Sequence, residues 1–251
     1  MLLIIATAEK YRPRRIRCSK KRWPGHFAMV LVATISVRLI VPVGALGASV
    51  YAEQQGVGLL QIINLPYVLI ICVGYLLLEI VIYFQHRLSH KVPLLWRFHR
   101  MHHSDTEFDF TTALRFHPFE IIFSTFVKIA AILALGIPAL AVIIFEIALN
   151  ATAIFNHGNI KIPKKVEKKL RYFLVTPEMH RIHHSRIPRE TDSNYSFSLS
   201  CWDRIFGTYT EKSYNPQQTM EIGLDKFRKP GDQRFSKLLL QPFQKDITAV
   251  K

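Results

Sequence analysis

Eight of the eleven histidines in this 251-residue chain fall into three tight clusters, each just beyond a long apolar stretch. The first holds His86 and His90. The second holds His99, His102 and His103. The third holds His180, His183 and His184. Imidazole is a borderline ligand that suits iron, zinc, copper and nickel. On a helix, positions i and i+3 or i+4 share a face, so HxxxH and HxxH each aim two rings at one point. The adjacent His103 or His184 then reaches a second ion beside the first. One four-coordinate ion does not need eight histidines; two ions do. Metal-sequestering histidine tracts are polar and low in complexity, whereas these clusters sit among Trp, Phe, Leu and Met. A lone histidine such as His26 reads as a hydrogen-bonded core residue.

The rings need a scaffold, and composition describes it. Hydrophobic residues make up 49% of the chain, yet its formal net charge is +15. That combination points to apolar spans separated by basic loops. Residues 27–50 are nearly all apolar, broken by Arg38 and Pro42. Residues 62–84 form a second apolar run, with Glu79 near its end. Residues 119–155 are too long for one crossing, since a bilayer core takes about 20 residues per helix. Gly136-Ile137-Pro138 divides that run with a tight turn. A soluble helical hairpin would need a covering shell, and the remaining chain is too short and too basic to supply one. The fold class is therefore all-α, a polytopic membrane protein with about four transmembrane helices and a histidine-rich cap. Whether the third and fourth helices cross fully is left open.

Charge predicts orientation. Lys10, Arg12, Arg14, Arg15, Arg17, Lys20, Lys21 and Arg22 precede the first span, and flanking cations favour the cytoplasm. Counting spans returns residues 86–117 and everything from Asn156 to Lys251 to that side. The three clusters then meet at one membrane surface. Residues 1–8 are too short for a signal-peptide core, and no cleavage site is evident. Cys18, Cys72 and Cys201 are far apart and form no CxxC, so neither a disulfide framework nor a thiolate zinc site is expected. The basic amino-terminal run carries no nucleic-acid motif. Anionic lipid headgroups are its more economical partner.

The order HRLSH, WRFHRMHHSDTEFD, LRFHPFE, FNHGNI, TPEMHRIHHS and NYSFSLSCWDRIFGTY resembles the fatty acid hydroxylase superfamily, the sterol desaturase-like integral-membrane di-metal oxygenases. The resemblance covers residues 78–209. It implies two ferrous ions, for which zinc can substitute, and dioxygen as co-substrate. It implies oxidation of a lipid C–H bond by hydroxylation or desaturation. It also implies ligands between the second and third clusters, and His157 stands there. The expected ligand set is His86, His90, His99, His102, His103, His157, His180, His183 and His184. His117 is either a further ligand, a supporting group or a structural hydrogen-bonding residue.

Metal-bound imidazoles usually donate their other N–H to a carboxylate or carbonyl. Asp105, Glu107, Asp109, Glu178, Asp192 and Asn194 are the candidates near the clusters, although each taken singly reads first as a solvated surface group. Asp203 is expected to cap or pair locally, with Arg204 or another cation. No GxGxxG fingerprint, iron–sulfur cysteine set or fused cytochrome is present, so electrons are expected from an external ferredoxin, cytochrome or reductase. The chain divides into a basic segment 1–25, an oxygenase domain 26–210 and a tail 211–251. Within the tail, residues 235–243 read either as an interfacial helix or as a helix packed on the cap. Two other classes compete. A membrane metal transporter would place ligands along its spans, and here the spans carry almost none. A zinc hydrolase would want few histidines and a carboxylate base; HExxH is absent, and Glu178 alone keeps that reading open.

Overall fold

The computed structural model describes residues 1–16 and 20–244. Arg17, Cys18 and Lys251 lie outside the described residues. Among those described, the chain is helical and forms no strand, only isolated bridges such as Pro13 with Ile160. Four segments are long and apolar enough to cross a membrane: Lys20–Ile62, Tyr67–Lys91, Pro118–Leu135 and Ala139–Asn156.

Helix α1, Leu2–Tyr11, lies against the cap and buries Ile5 and Glu9. The first span is two helices rather than one. Helix α2, Trp23–Ile40, stops before Pro42, and α3, Gly44–Gln55, resumes beyond it. Proline has no N–H to donate and restricts the residue ahead of it, so the run 27–50 kinks at this point. A short turn, α4, spans Leu59–Ile62. The second span, α5, covers Tyr67–Lys91, later than the run 62–84 suggests. Pro66 delays its start, and nothing interrupts it until Val92-Pro93. The helix therefore carries His86 and His90 on its own last turns.

Helix α6, Pro93–His103, carries the second cluster. Helices α7, Pro118–Leu135, and α8, Ala139–Asn156, form the hairpin divided at Gly136. Each has 18 residues, roughly 27 Å of helix. Gly136 has φ +67°, and a Cβ there would meet the Val57 carbonyl at 2.8 Å. The hairpin turn thus packs directly on the loop after α3. Ser49 Oγ donates to the Ile137 carbonyl at 2.5 Å, and Gln61 Nε2 donates to the Gly136 carbonyl at 2.8 Å. These contacts mark the end of the bundle opposite the histidines.

The core between spans is built from Leu78, Ile82, Ile132, Ile137, Ala141 and Phe145. Leu31, Leu39, Val68, Phe126 and Ile147 project outward and stay exposed, the surface that a lipid bilayer covers. At the other end α9, Lys164–Leu170, α10, Pro177–His183, α11, Pro188–Thr191, and α12, Cys201–Ile205, close the cap. Helix α13, Phe235–Leu240, tucks fully buried Leu238 against Met29 and Met101 while Leu240 stays half-exposed. It is a cap-packed helix with one apolar side turned outward.

Candidate metal centre

Nine histidines from four segments of chain meet in the cap. They form two groups. His86, His90, His99, His103 and His183 make the first; His102, His157, His180 and His184 make the second. Within each group the inward nitrogens all lie within 4.8 Å of one another. These are the nine positions expected from the sequence.

The division of each HxxHH cluster differs from the expected one. His99 and His103 stay together and His102 crosses to the second group. His180 and His184 stay together and His183 crosses to the first. Helix geometry explains this: at 3.6 residues per turn, i+4 lies about 40° from i, whereas i+3 lies about 60° away on the other side. The i,i+4 rings are the tighter pair, and the middle ring is aimed elsewhere. Helices α6 and α10 thereby exchange one histidine each, which interlocks the two groups.

Backbone carbonyls and one carboxylate orient the rings. His86 Nδ1–H donates to the Tyr195 carbonyl at 2.6 Å, His183 to Ser193 at 2.7 Å, and His157 to Ala153 at 2.7 Å. His102 donates more weakly to the Arg115 carbonyl at 3.2 Å. His99 Nδ1 lies 2.6 Å from Glu120 Oε1. These partners assign the tautomers: Nδ1 carries the proton and Nε2 presents its lone pair inward. The inward Nε2 atoms approach one another closely. His86 and His99 are 3.2 Å apart, His86 and His183 3.1 Å, and His157 and His180 3.0 Å.

Facing lone pairs repel unless a cation or proton lies between them. Protons are disfavoured at this site. Burial, reinforced by neighbouring rings, holds His102, His103, His180 and His184 well below the usual imidazole range. Burial likewise lowers His157 to about 4 and His183 to about 3. Buried His90 has neither ring nitrogen hydrogen-bonded. Nine imidazoles converging in this way fit two metal ions, since imidazole binds metal in its neutral form.

The remaining site candidates have other partners. His117 is the N-cap of α7: the Phe119 N–H donates to its Nδ1 at 3.2 Å, and its Nε2 lies 3.2 Å from the Leu239 carbonyl. It stands outside both groups. Asp105 and Asp109 pair with buried Arg22, as does Glu107. Asp105 reaches His157 only through its charge. Glu178 pairs with Arg14 at 2.8 Å. Asn194, at φ 53°, ties its amide to the Met179 and Thr210 carbonyls. Asp192 Oδ1 lies 3.4 Å from His90 Nδ1, too long for a firm hydrogen bond. Asp203 does not pair with Arg204, which turns to the Arg171 and Ser200 carbonyls. Its carboxylate accepts the Tyr195 and Ser196 N–H groups at 2.7 and 3.1 Å, and so sets the Tyr195 carbonyl on which His86 rests.

Two supports were not singled out from the sequence. Glu120 stands in the first turn of α7, two residues past the LRFHP run, and reaches back to His99. Glu9, fully buried, accepts the Phe110 N–H at 2.8 Å and the Asn159 N–H at 2.9 Å. It ties the amino-terminal helix to the segment that carries His157. A glutamate after an apolar run gives no local signal of either role.

A cavity of about 280 Å³ runs from the first histidine group down between the spans. His86, His99, Glu120 and Phe116 line its upper end, and Ile82, Ile121 and Leu149 its waist.

Comparison with known proteins places this architecture in a class. The fatty acid hydroxylase family model matches residues 71–208, and the chain belongs to that family. It is 33% identical over 132 residues to alkylglycerol monooxygenase of Xenopus tropicalis, 51% of this chain and 27% of that protein. It is 30% identical over 178 residues to ornithine lipid hydroxylase OlsE of Rhizobium tropici, 70% of this chain and 50% of that one. It is 27% identical over 144 residues to the very-long-chain aldehyde decarbonylase GL1-6 of Oryza sativa subsp. indica, 54% of this chain and 22% of that one. The chain thus spans between about a quarter and a half of these relatives. No solved structure matches it.

Proposed function

We propose that this chain oxidises a lipid C–H bond with dioxygen, by hydroxylation or desaturation, at two iron ions held by its nine clustered histidines. The observation that carries this reading is the pair of converging imidazole groups beside a cavity that descends among membrane spans. Three named relatives act on lipids or long-chain lipid derivatives, which supports the substrate class. His86, His90, His99, His103 and His183 would hold one ion; His102, His157, His180 and His184 would hold the other. Bound iron would supply the activation of dioxygen.

The chain's own part is positioning and exclusion. The Tyr195, Ser193, Ala153 and Arg115 carbonyls fix four rings in the Nδ1–H tautomer, and Glu120 fixes a fifth. An anionic acceptor on Nδ1 makes Nε2 a better donor. Phe116 stacks on His102 with ring centroids 4.2 Å apart and 13° between planes, and keeps that ring dry. The cavity waist of Ile82, Ile121 and Leu149 accepts an alkyl segment and excludes water beside His86 and His99.

Electrons come from an external ferredoxin, cytochrome or reductase on the cytoplasmic side, where the basic segment 1–25 orients the cap. Residues 26–210 form the oxygenase domain and residues 211–251 a tail, of which Phe235–Leu240 packs on the cap. A transporter would need ligands along a path through the bilayer; the nine rings here gather at one end. The test is oxygen uptake by the purified, iron-loaded chain in host lipid with a chemical reductant. Labelled oxygen should enter a lipid, or an alkene should form at matched oxygen uptake. Uptake without any lipid product would reject the reading.

A further inference from the structure

The cavity has a second polar end, deep among the spans, that the histidines do not explain. Lys128 on α7 and Glu146 on α8 form an ion pair there, with Nζ 2.5 Å from Oε1. Both line the cavity, together with Ser124, Thr125 and Asn150. Lys128 lies eight residues beyond Glu120 on the same helix, roughly 12 Å along its axis. Ionisable groups at this depth are costly and usually face a cavity or a partner. This pair does both: the two side chains line the cavity and bond each other, and they are 13% and 33% exposed.

A hydrocarbon chain gains nothing from such a pair. A carboxylate would meet Lys128 but be repelled by Glu146, and an ammonium group would meet the reverse. A hydroxyl can accept from Lys128 and donate to Glu146 at once, because it carries one donor and two acceptor lone pairs. The apolar waist between the two polar ends takes the alkyl segment that separates the hydroxyl from the oxidised carbon. We propose that Lys128 and Glu146 are specificity-determining residues that hold a hydroxyl of the lipid substrate, remote from the carbon presented to the histidine groups. The inference rests on the proposed oxidation for its meaning, but its test does not.

The test uses the purified full chain in detergent, with no reductant, so that nothing turns over. The probes are 1-hexadecanol and hexadecane, read by ligand-dependent thermal unfolding. The wild-type chain should bind the alcohol about ten-fold tighter than the alkane, the size of one charge-assisted hydrogen bond. Replacing both partners, Lys128→Met with Glu146→Leu, leaves no unpaired charge and should abolish the preference while hexadecane still binds. The exchanged pair, Lys128→Glu with Glu146→Lys, should keep it, since a hydroxyl serves either order. Equal binding of both probes by the wild type, or an undiminished preference in the apolar double variant, would overturn the proposal. A chain that selects the alcohol yet oxidises no lipid would support this subsite and reject the oxidation alone.

Discussion

His103 and His184 stack face to face, with ring centroids 4.3 Å apart and 12° between their planes. One belongs to each histidine group. The contact makes the two groups immediate neighbours and gives a shared wall to two ions. Replacing either ring should therefore disturb both. His103→Ala and His184→Ala are each expected to abolish lipid oxidation while the chain still inserts in the membrane. Membrane yield beside turnover checks this.

His157 and His117 should separate. His157→Ala removes one of four rings from the second group and is expected to lose metal and activity together. His117→Ala removes an N-cap, a change worth about 1 kcal/mol, and should keep its metal. Metal per chain by mass spectrometry, measured beside turnover in the same preparations, distinguishes the two. Full occupancy in His157→Ala with depletion in His117→Ala would reverse the assignment.

Glu120 is an acceptor for His99 Nδ1–H at 2.6 Å. Glu120→Gln keeps the size but removes the negative charge, and its amide can turn an N–H toward the ring. Loss of such a supporting group typically weakens metal binding by 10- to 100-fold. Competition with a chelator should show that loss, with the helical content unchanged.

Much of this centre was legible in the sequence because metal chemistry demands particular residue types at helix spacing. The nine rings could be found from HxxxH, HxxHH and a family position between them. Their partition could not, because it depends on how α6 faces α10. The supporting groups were obscured for a different reason. Asp105, Glu107 and Asp109 follow a cluster closely, but Arg22 from the start of α2 takes all three. Glu120 is less conspicuous, and only the packing of α7 under α6 carries it to His99. In the fold, apolar runs located the spans, while Pro42 and Pro66 shifted their boundaries.

The Arg22 cluster makes a separate stability prediction. Arg22 is 5% exposed and Asp105 wholly buried. Arg22→Leu would take the nearest cation from Asp105, Glu107 and Asp109, with Arg115 still 3.9 Å from Asp105; breaking such a buried pair costs about 3–5 kcal/mol. Thermal unfolding in detergent should fall markedly in this variant. An unchanged midpoint would mean that the network contributes little.

The central claim is two ions in two separable groups of rings. It is tested most directly by iron per chain, measured after anaerobic purification and iron loading, in wild type, His86→Ala and His180→Ala. The account predicts two iron ions in the wild type, with His86→Ala weakening the first site and His180→Ala the second. Each variant should retain the ion of its intact group. A wild-type chain that saturates at a single ion, or both variants retaining two tightly bound ions, would contradict it.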